Sequence, residues 1–336
     1  MKYLISVLIL IIISSCGTGS DGDIYITGYN AGVAMYWKNG IQTNLDNGGK
    51  NADAEAIYID SNNNVYVAGS CVGEAGSSVP CYWKNGTRTL LDQLYGWVNG
   101  ISLIGNDLYL SGRITVDVPY GGGTLSTSKA GSWKNTTLTV LNGSTTIDVG
   151  WANSLFVSEG SVYIAGCNEE TQVYWKDGTA NTLPVHGELK SIYIKDGVFY
   201  ASGDSIDGLN FFAVYYKNGD MTKLSTPNTA SLSIANSIFV DSNNDIYIAG
   251  YYKIAEAKFA CYWKNGQLID LPDGMTTHSN SEANQVIVKN GNVYVVGDYY
   301  NLTTSKNIAA YWKNGEKTDL TFVESEYARA ISIFIK

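Results

Sequence analysis

One short phrase recurs seven times along the chain and limits its fold more than any other feature. It first reads Tyr36-Trp37-Lys38-Asn39-Gly40. It returns as Tyr82 to Gly86, Ser132-Trp133-Lys134-Asn135, Tyr174 to Gly178, Tyr215 to Gly219, Tyr262 to Gly266 and Tyr311 to Gly315. Measured from Trp37 through Trp83, Trp133, Trp175, Tyr216 and Trp263 to Trp312, the steps are 46, 50, 42, 41, 47 and 49 residues. A period near 45 built of strands means a propeller.

Residues 235–270 show one period in full. Ile238-Phe239-Val240 is a short apolar strand, and Asp241 to Asp245 is a turn. Ile246 to Gly250 is a second strand, and Ala260 to Lys264 a third. Asn265-Gly266 is a two-residue hairpin turn, because both residues accept positive φ, and Gln267 to Leu271 is the fourth strand. The second strand recurs seven times, from Ile24 to Gly28 through Val293 to Gly297. The first recurs six times ahead of it, and a seventh copy, Ile331 to Ile335, stands alone at the C-terminus. The expected fold is therefore all-β. It is a seven-bladed β-propeller of four-stranded blades over residues 23–336, closed by the C-terminal strand completing the first blade. Closure of this kind leaves only outer edges exposed.

The 336 residues carry 12% aromatics, 25 Tyr against 5 Pro, and 16% charged side chains, which suits an exported, sheet-rich protein. Met1 and Lys2 precede a ten-residue apolar core, Leu4 to Ile13, too short to cross a bilayer. Ser14-Ser15-Cys16-Gly17 then resembles a bacterial lipoprotein cleavage box. The resemblance implies a signal peptide at 1–15, lipid on Cys16 and a flexible tether through residue 22. The residue after Cys16 is Gly17 rather than Asp, which points to the outer membrane or cell surface. Removing residues 1–15 loses Lys2 and no acid, so the formal charge moves from −9 to −10. An acidic body without a basic run argues against nucleic acid, and leaves the lipid anchor as the one membrane contact.

Cys71, Cys81, Cys167 and Cys261 remain. A hairpin would bring Cys71 to Cys81, so a disulfide there and two free thiols are both open. Cys167 and Cys261 read as buried small hydrophobes. No pattern calls for a cofactor or a metal. Asp241-x-Asn243-x-Asp245 lacks the Gly and the bidentate Glu of a calcium loop and reads as a turn.

The repeated Trp is expected in the core, burying roughly 150–250 Å² per blade, and the adjoining Lys in solvent. The phrase with its following strand, as in Tyr36 to Leu45, resembles the HAF-type extracellular repeats of bacterial surface proteins. Asp60 to Gly69 is similar to the strand-turn part of other bacterial propeller repeats. The likeness covers nearly all of 23–336, but the leading His of that family is absent from every copy. Ser132 and Thr136 also replace Tyr and Gly in the third. The resemblance implies a surface propeller and brings no catalytic residue.

Short turns collect on one face and variable connections on the other, the longest being Arg113 to Ala130. Function usually sits on a variable face. Two positions before the first aliphatic of each innermost strand stand Glu55, Asn99, Asn153, Lys190, Asn236, Asn284 and Arg329. Two positions earlier stand Asp53, Trp97, Trp151, Glu188, Ile234, Glu282 and Tyr327. The first set predicts a polar ring at a channel mouth; Trp97, Trp151 and Tyr327 would be aromatic platforms beside it. Such a ring either solvates a wet channel or binds a glycan or peptide. The expected function is a monomeric envelope lipoprotein that binds an unknown glycan or envelope protein. The alternative is a hydrolase or lyase using Asp53, Glu55, Glu188, Glu282, His186 or His278 on the same face.

Overall fold

The structure, a computed structural model, describes residues 21–141, 149–273, 280–320 and 327–336. The segment 1–15, Cys16, the tether through Ser20 and His278 lie outside the described residues. Strands and turns account for what is described, with no helix among them.

The chain repeats an antiparallel four-strand unit. In one, Ala52–Ile59, Val65–Val72, Ser78–Lys84 and Thr87–Leu90 follow one another in space as in sequence. Five sheets have four strands and one has seven. The larger sheet arises where two strands and a loop are expected. The single strand Thr179–Lys195 instead pairs at its start with Thr171–Lys176 and at its end with Val198–Asp207. It is the outer strand of one unit and the inner strand of the next. Ala328–Ile335 pairs with Ile24–Asn30, so residues from both ends of the chain share a sheet.

Hydrophobic clusters lie between neighbouring units. Trp83 packs with Val67 and Cys81 of its own unit and with Tyr25, Ala34 and Leu45 of the one before. Trp37 packs against Tyr294, Ala309 and Leu320 of the last full unit, beside Ala330 and Ile333. Six of the repeated Trp are at most 1% exposed. Those indoles also tie the units together: Trp83, Trp263 and Trp312 donate Nε1–H to the carbonyls of Asp46, Ser225 and Pro272 in the preceding connection, at 2.6–2.7 Å. Where Tyr216 replaces Trp, its hydroxyl donates to Gln172 Oε1 at 2.5 Å.

The other residues of the phrase have equally specific partners. Asn85 sits at φ 49° and donates its N–H to the Val65 carbonyl at 2.8 Å. Its Oδ1 accepts the Val65 N–H at 2.9 Å. Asn39, Asn135, Asn218, Asn265 and Asn314, with Asp177 in the fourth copy, close the same two-bond clamp on the start of the second strand. The Lys is exposed, as expected, in all copies but one, Lys264 being half-buried, and it also lies over the ring of a cross-strand Tyr in every copy. Nζ stands 5.1–5.8 Å from the ring centroid, from Lys38 over Tyr25 to Lys313 over Tyr294. Cation–π attraction and a covered aliphatic stem explain the choice of Lys.

Cys71 and Cys81 form a disulfide with Cα atoms 6.0 Å apart, while Cys167 and Cys261 are buried free thiols. The Asp241 turn holds an ammonium group: Lys195 Nζ donates to the Asp241 carbonyl and to Asn244 Oδ1 at 2.5 and 2.7 Å. Residues 113–130 are not an irregular loop. They form a hairpin between Asp107–Tyr120 and Gly123–Lys134, turned at Gly121 and Gly122.

Candidate functional site

Every inner strand carries a one-residue bulge near its start. Ala54 faces Gly69 and Ala56 faces Ala68, which leaves Glu55 without a partner. The same skip falls at Asn99, Asn153, Lys190, Asn236 and Asn284. A bulge bends the strand and re-aims the extra side chain. These six side chains line a central cavity of about 480 Å³.

The seventh bulge falls at Ile331, because Gly28 pairs with Ala330 and Thr27 with Ser332. Arg329 also lines the cavity, but from another register position. It is the counterpart of Asp53, Trp97, Trp151, Glu188, Ile234 and Glu282, two residues from where the spacing to the first aliphatic puts it. Tyr327 shifts likewise and does not join Trp97 and Trp151. It is 47% exposed, lies 6.3 Å from the Tyr29 ring and lines a separate cleft with Lys258 and Glu282.

The ring is knitted from unit to unit. The amide nitrogens of Asn99, Asn153, Asn236 and Asn284 donate to the carbonyls of Ala152, Leu189, Ala283 and Ala330 in the next inner strand, at 2.8–3.2 Å. Part of the polar ring therefore satisfies backbone, the structural role that competes with binding. Glu55 makes no such bond among the described residues. Burial pushes its carboxyl up to about 7, against the pull of Arg329 and with a further push from Asp53.

Two charge networks flank the ring. Arg329 Nε donates to Asp298 Oδ1 at 2.9 Å, and Glu282 lies 3.8 Å away, itself 3.0 Å from Lys258 Nζ. Burial works against the Arg329 charge, but Asp298 and Glu282 outweigh it and hold the guanidinium charged. Lys190 bridges Glu188 and stands 3.9 Å from Asp204. Burial raises Asp204 to about 6 although Lys190 opposes it.

Between these networks Trp97 and Trp151 flank Arg113. The guanidinium carbon lies 4.0 Å from the Trp97 ring centroid and 5.9 Å from that of Trp151, and Tyr95 packs edge-on to Trp97 at 4.6 Å. With Glu55, Asn99, Asn153 and Glu188 they bound a cleft of about 370 Å³ opening beside the central cavity. Trp97 and Trp151 occupy equivalent positions on adjacent inner strands, which is why they share a cleft.

Arg113, Asp204 and Asp298 were not singled out by the spacing argument. Each directly follows the glycine of a second strand, and each faces the residue before the bulge pair: Arg113 faces Trp97, Asp204 faces Glu188 and Asp298 faces Glu282. Reading one residue beyond that glycine finds them. His186 is exposed on the outer half of Thr179–Lys195, opposite Thr171, and is not among the residues lining these clefts. Among the described residues no three His, Cys, Asp or Glu side chains are grouped to hold a metal ion.

No protein-family model matches the sequence, and no curated protein sequence does either. Solved structures do resemble the fold. An ulvan lyase described as a new family of polysaccharide lyase is 12% identical over 83% of this chain and 85% of its own, with a TM-score of 0.50. An acylaminoacyl peptidase from Pyrococcus horikoshii is 11% identical over 91% of this chain, which spans 52% of it, with a TM-score of 0.49. A Trypanosoma rangeli sialidase is 10% identical over 82% of this chain and 55% of its own, with a TM-score of 0.44. At such identity the likeness to the lyase shows the fold alone, an all-β, β-propeller-like architecture.

Proposed function

We propose that the chain is a binding module whose ligand is a glycan held at the mouth of the inner strands. In this reading the units form a ring of seven blades, with Ala328–Ile335 completing the first. The observation that carries the function is the pair Trp97 and Trp151 around Arg113, with the Asn99 and Asn153 amides beneath. Aromatic faces next to amides and a fixed charge suit the C–H and hydroxyl surfaces of a sugar ring. The N-terminal pattern and the HAF-type likeness extend the proposal to a lipid-anchored envelope protein at the outer membrane or cell surface, acting as a monomer.

A binding screen against glycans and envelope extract tests it. The wild type should bind a saccharide, and Trp97→Ala/Trp151→Ala should lose that binding while melting at the same temperature. Binding that survives the double substitution removes the cleft as the site.

A second reading, a hydrolase or lyase in the same cleft, draws on Glu55. A carboxyl held near 7 beside a sugar-sized cleft is suited to exchange protons at neutral pH. Turnover of a bound glycan that disappears in Glu55→Gln would favour it.

A further inference from the structure

We infer that the glycan taken by this cleft is anionic, and that its acid group, a carboxylate or a sulfate ester, is bound by Arg113 between Trp97 and Trp151. This rests on the saccharide reading above and adds the charge class of the ligand.

The first ground is the state of the cations that line the cavities. Lys190, Lys253, Lys258 and Arg329 each form an ion pair with an acid of the protein. Arg113 forms none among the described residues, although the chain as a whole is acidic. Its strand places it half-buried on the cleft wall, opposite Trp97 in the ladder. Glu188 attracts it without closing an ion pair, so the partly desolvated guanidinium keeps its N–H groups for an acid that makes contact.

The second ground is geometry. A guanidinium stacked on an indole uses its faces for packing and keeps its in-plane N–H groups for hydrogen bonds. At 4.0 Å from Trp97 the fork is held by stacking, so little freedom is left to lose on binding. Planar forks of this kind match carboxylate and sulfate oxygens in pairs.

Two carboxyl groups, Glu55 and Glu188, also line the cleft and would repel an anion; Lys190 bridges Glu188 and offsets its charge, and burial favours the protonated form of Glu55.

The experiment titrates the purified full chain with three matched oligosaccharides, one of galacturonate, one of sulfated galactose and one of neutral galactose. Expected is a preference of about tenfold or more for one or both acidic ligands over the neutral one, the size of a charge-assisted hydrogen bond. Arg113→Gln should remove the preference while leaving neutral binding, and Arg113→Lys should keep part of it. Melting temperatures confirm that each variant folds. Which acidic ligand binds identifies the acid group. Equal binding of all three, or a preference for the neutral one, overturns the inference and leaves the saccharide reading standing. A preference that survives in folded Arg113→Gln overturns it too, since another group then supplies the charge. No binding of any of the three counts against both readings together.

Discussion

The carbonyl oxygen of Trp97 lies 2.0 Å from where a Cβ on Gly112 would stand. The same approach recurs at the glycine facing each bulge, as between Glu282 and Gly297 and between Arg329 and Gly28. The bulge that turns a side chain into the cavity drives a main-chain oxygen against the neighbouring strand, and only glycine leaves room. Gly112→Ala should therefore cost about 3 kcal/mol or more of unfolding free energy, since the obstacle is backbone. Gly86, at φ 84° in a hairpin turn with nothing near its missing Cβ, should cost only about 1 kcal/mol as Ala. Denaturant titration of both variants checks the order, and the reverse order would sink this account of the bulge.

Asn85 clamps its turn through two hydrogen bonds to Val65. Asn85→Ala loses both side-chain bonds, the one accepted from Val65 and the one Nδ2 donates to Asn64 Oδ1 at 2.8 Å, and puts alanine at positive φ, for a cost of about 2 kcal/mol. Asn85→Gly keeps the conformation and loses only those bonds, so it should cost about half as much. Thermal melts of the two variants separate the contributions.

Glu55 ties stability to pH. Its carboxyl goes from an ordinary 4.5 to about 7 on folding, so the folded state holds the proton more tightly. The stability this gives is fully present below 4.5 and is lost as pH rises through 7. Glu55→Gln lacks the charge at every pH. It should be more stable than wild type by about 3 kcal/mol at pH 8, with the gap closing near pH 4. Chemical denaturation at the two values measures it. A gap independent of pH would show that burial does not control this carboxyl.

Ala328–Ile335 carries Ala330 and Ile333 into the cluster around Trp37. Deleting residues 328–336 should expose that indole and abolish cooperative melting, followed by circular dichroism and tryptophan fluorescence. A truncated chain melting like the intact one would refute a ring held shut by this strand.

The repeat, its strands and the hairpin turns were all legible, because each is a local pattern of side chains. The bulge was not, since it is an event in the backbone. Counting back from the first aliphatic gives the right residue in six inner strands and misplaces Arg329. There the bulged residue, Ile331, is itself aliphatic and moves the count by two. The triplets Asp53-Ala54-Glu55, Trp151-Ala152-Asn153 and Glu282-Ala283-Asn284 share another marker, an alanine before the bulge, which Ala235 also supplies but Val98 and Leu189 do not. Ala330 fits it, with Arg329 just ahead. The union of Trp97, Trp151 and Arg113 needed strand pairing. Trp97 and Trp151 could be aligned from spacing, but Arg113 reaches them only through the ladder.

Asp21 is the first described residue. Its carboxylate accepts from Asn292, Tyr294 and Lys313 at 2.5–2.9 Å, beside the tight turns. Those turns lie at the far end of the strands from Trp97, and the seven steps from Trp97 to Ile104 alone cover roughly 23 Å. Asp21 therefore sits at the end opposite the cleft. If that end is held by a lipid, the bilayer lies beneath the turns and the cleft looks outward. Such a protein would meet polymers arriving from outside and would be poorly placed to reach headgroups of its own membrane.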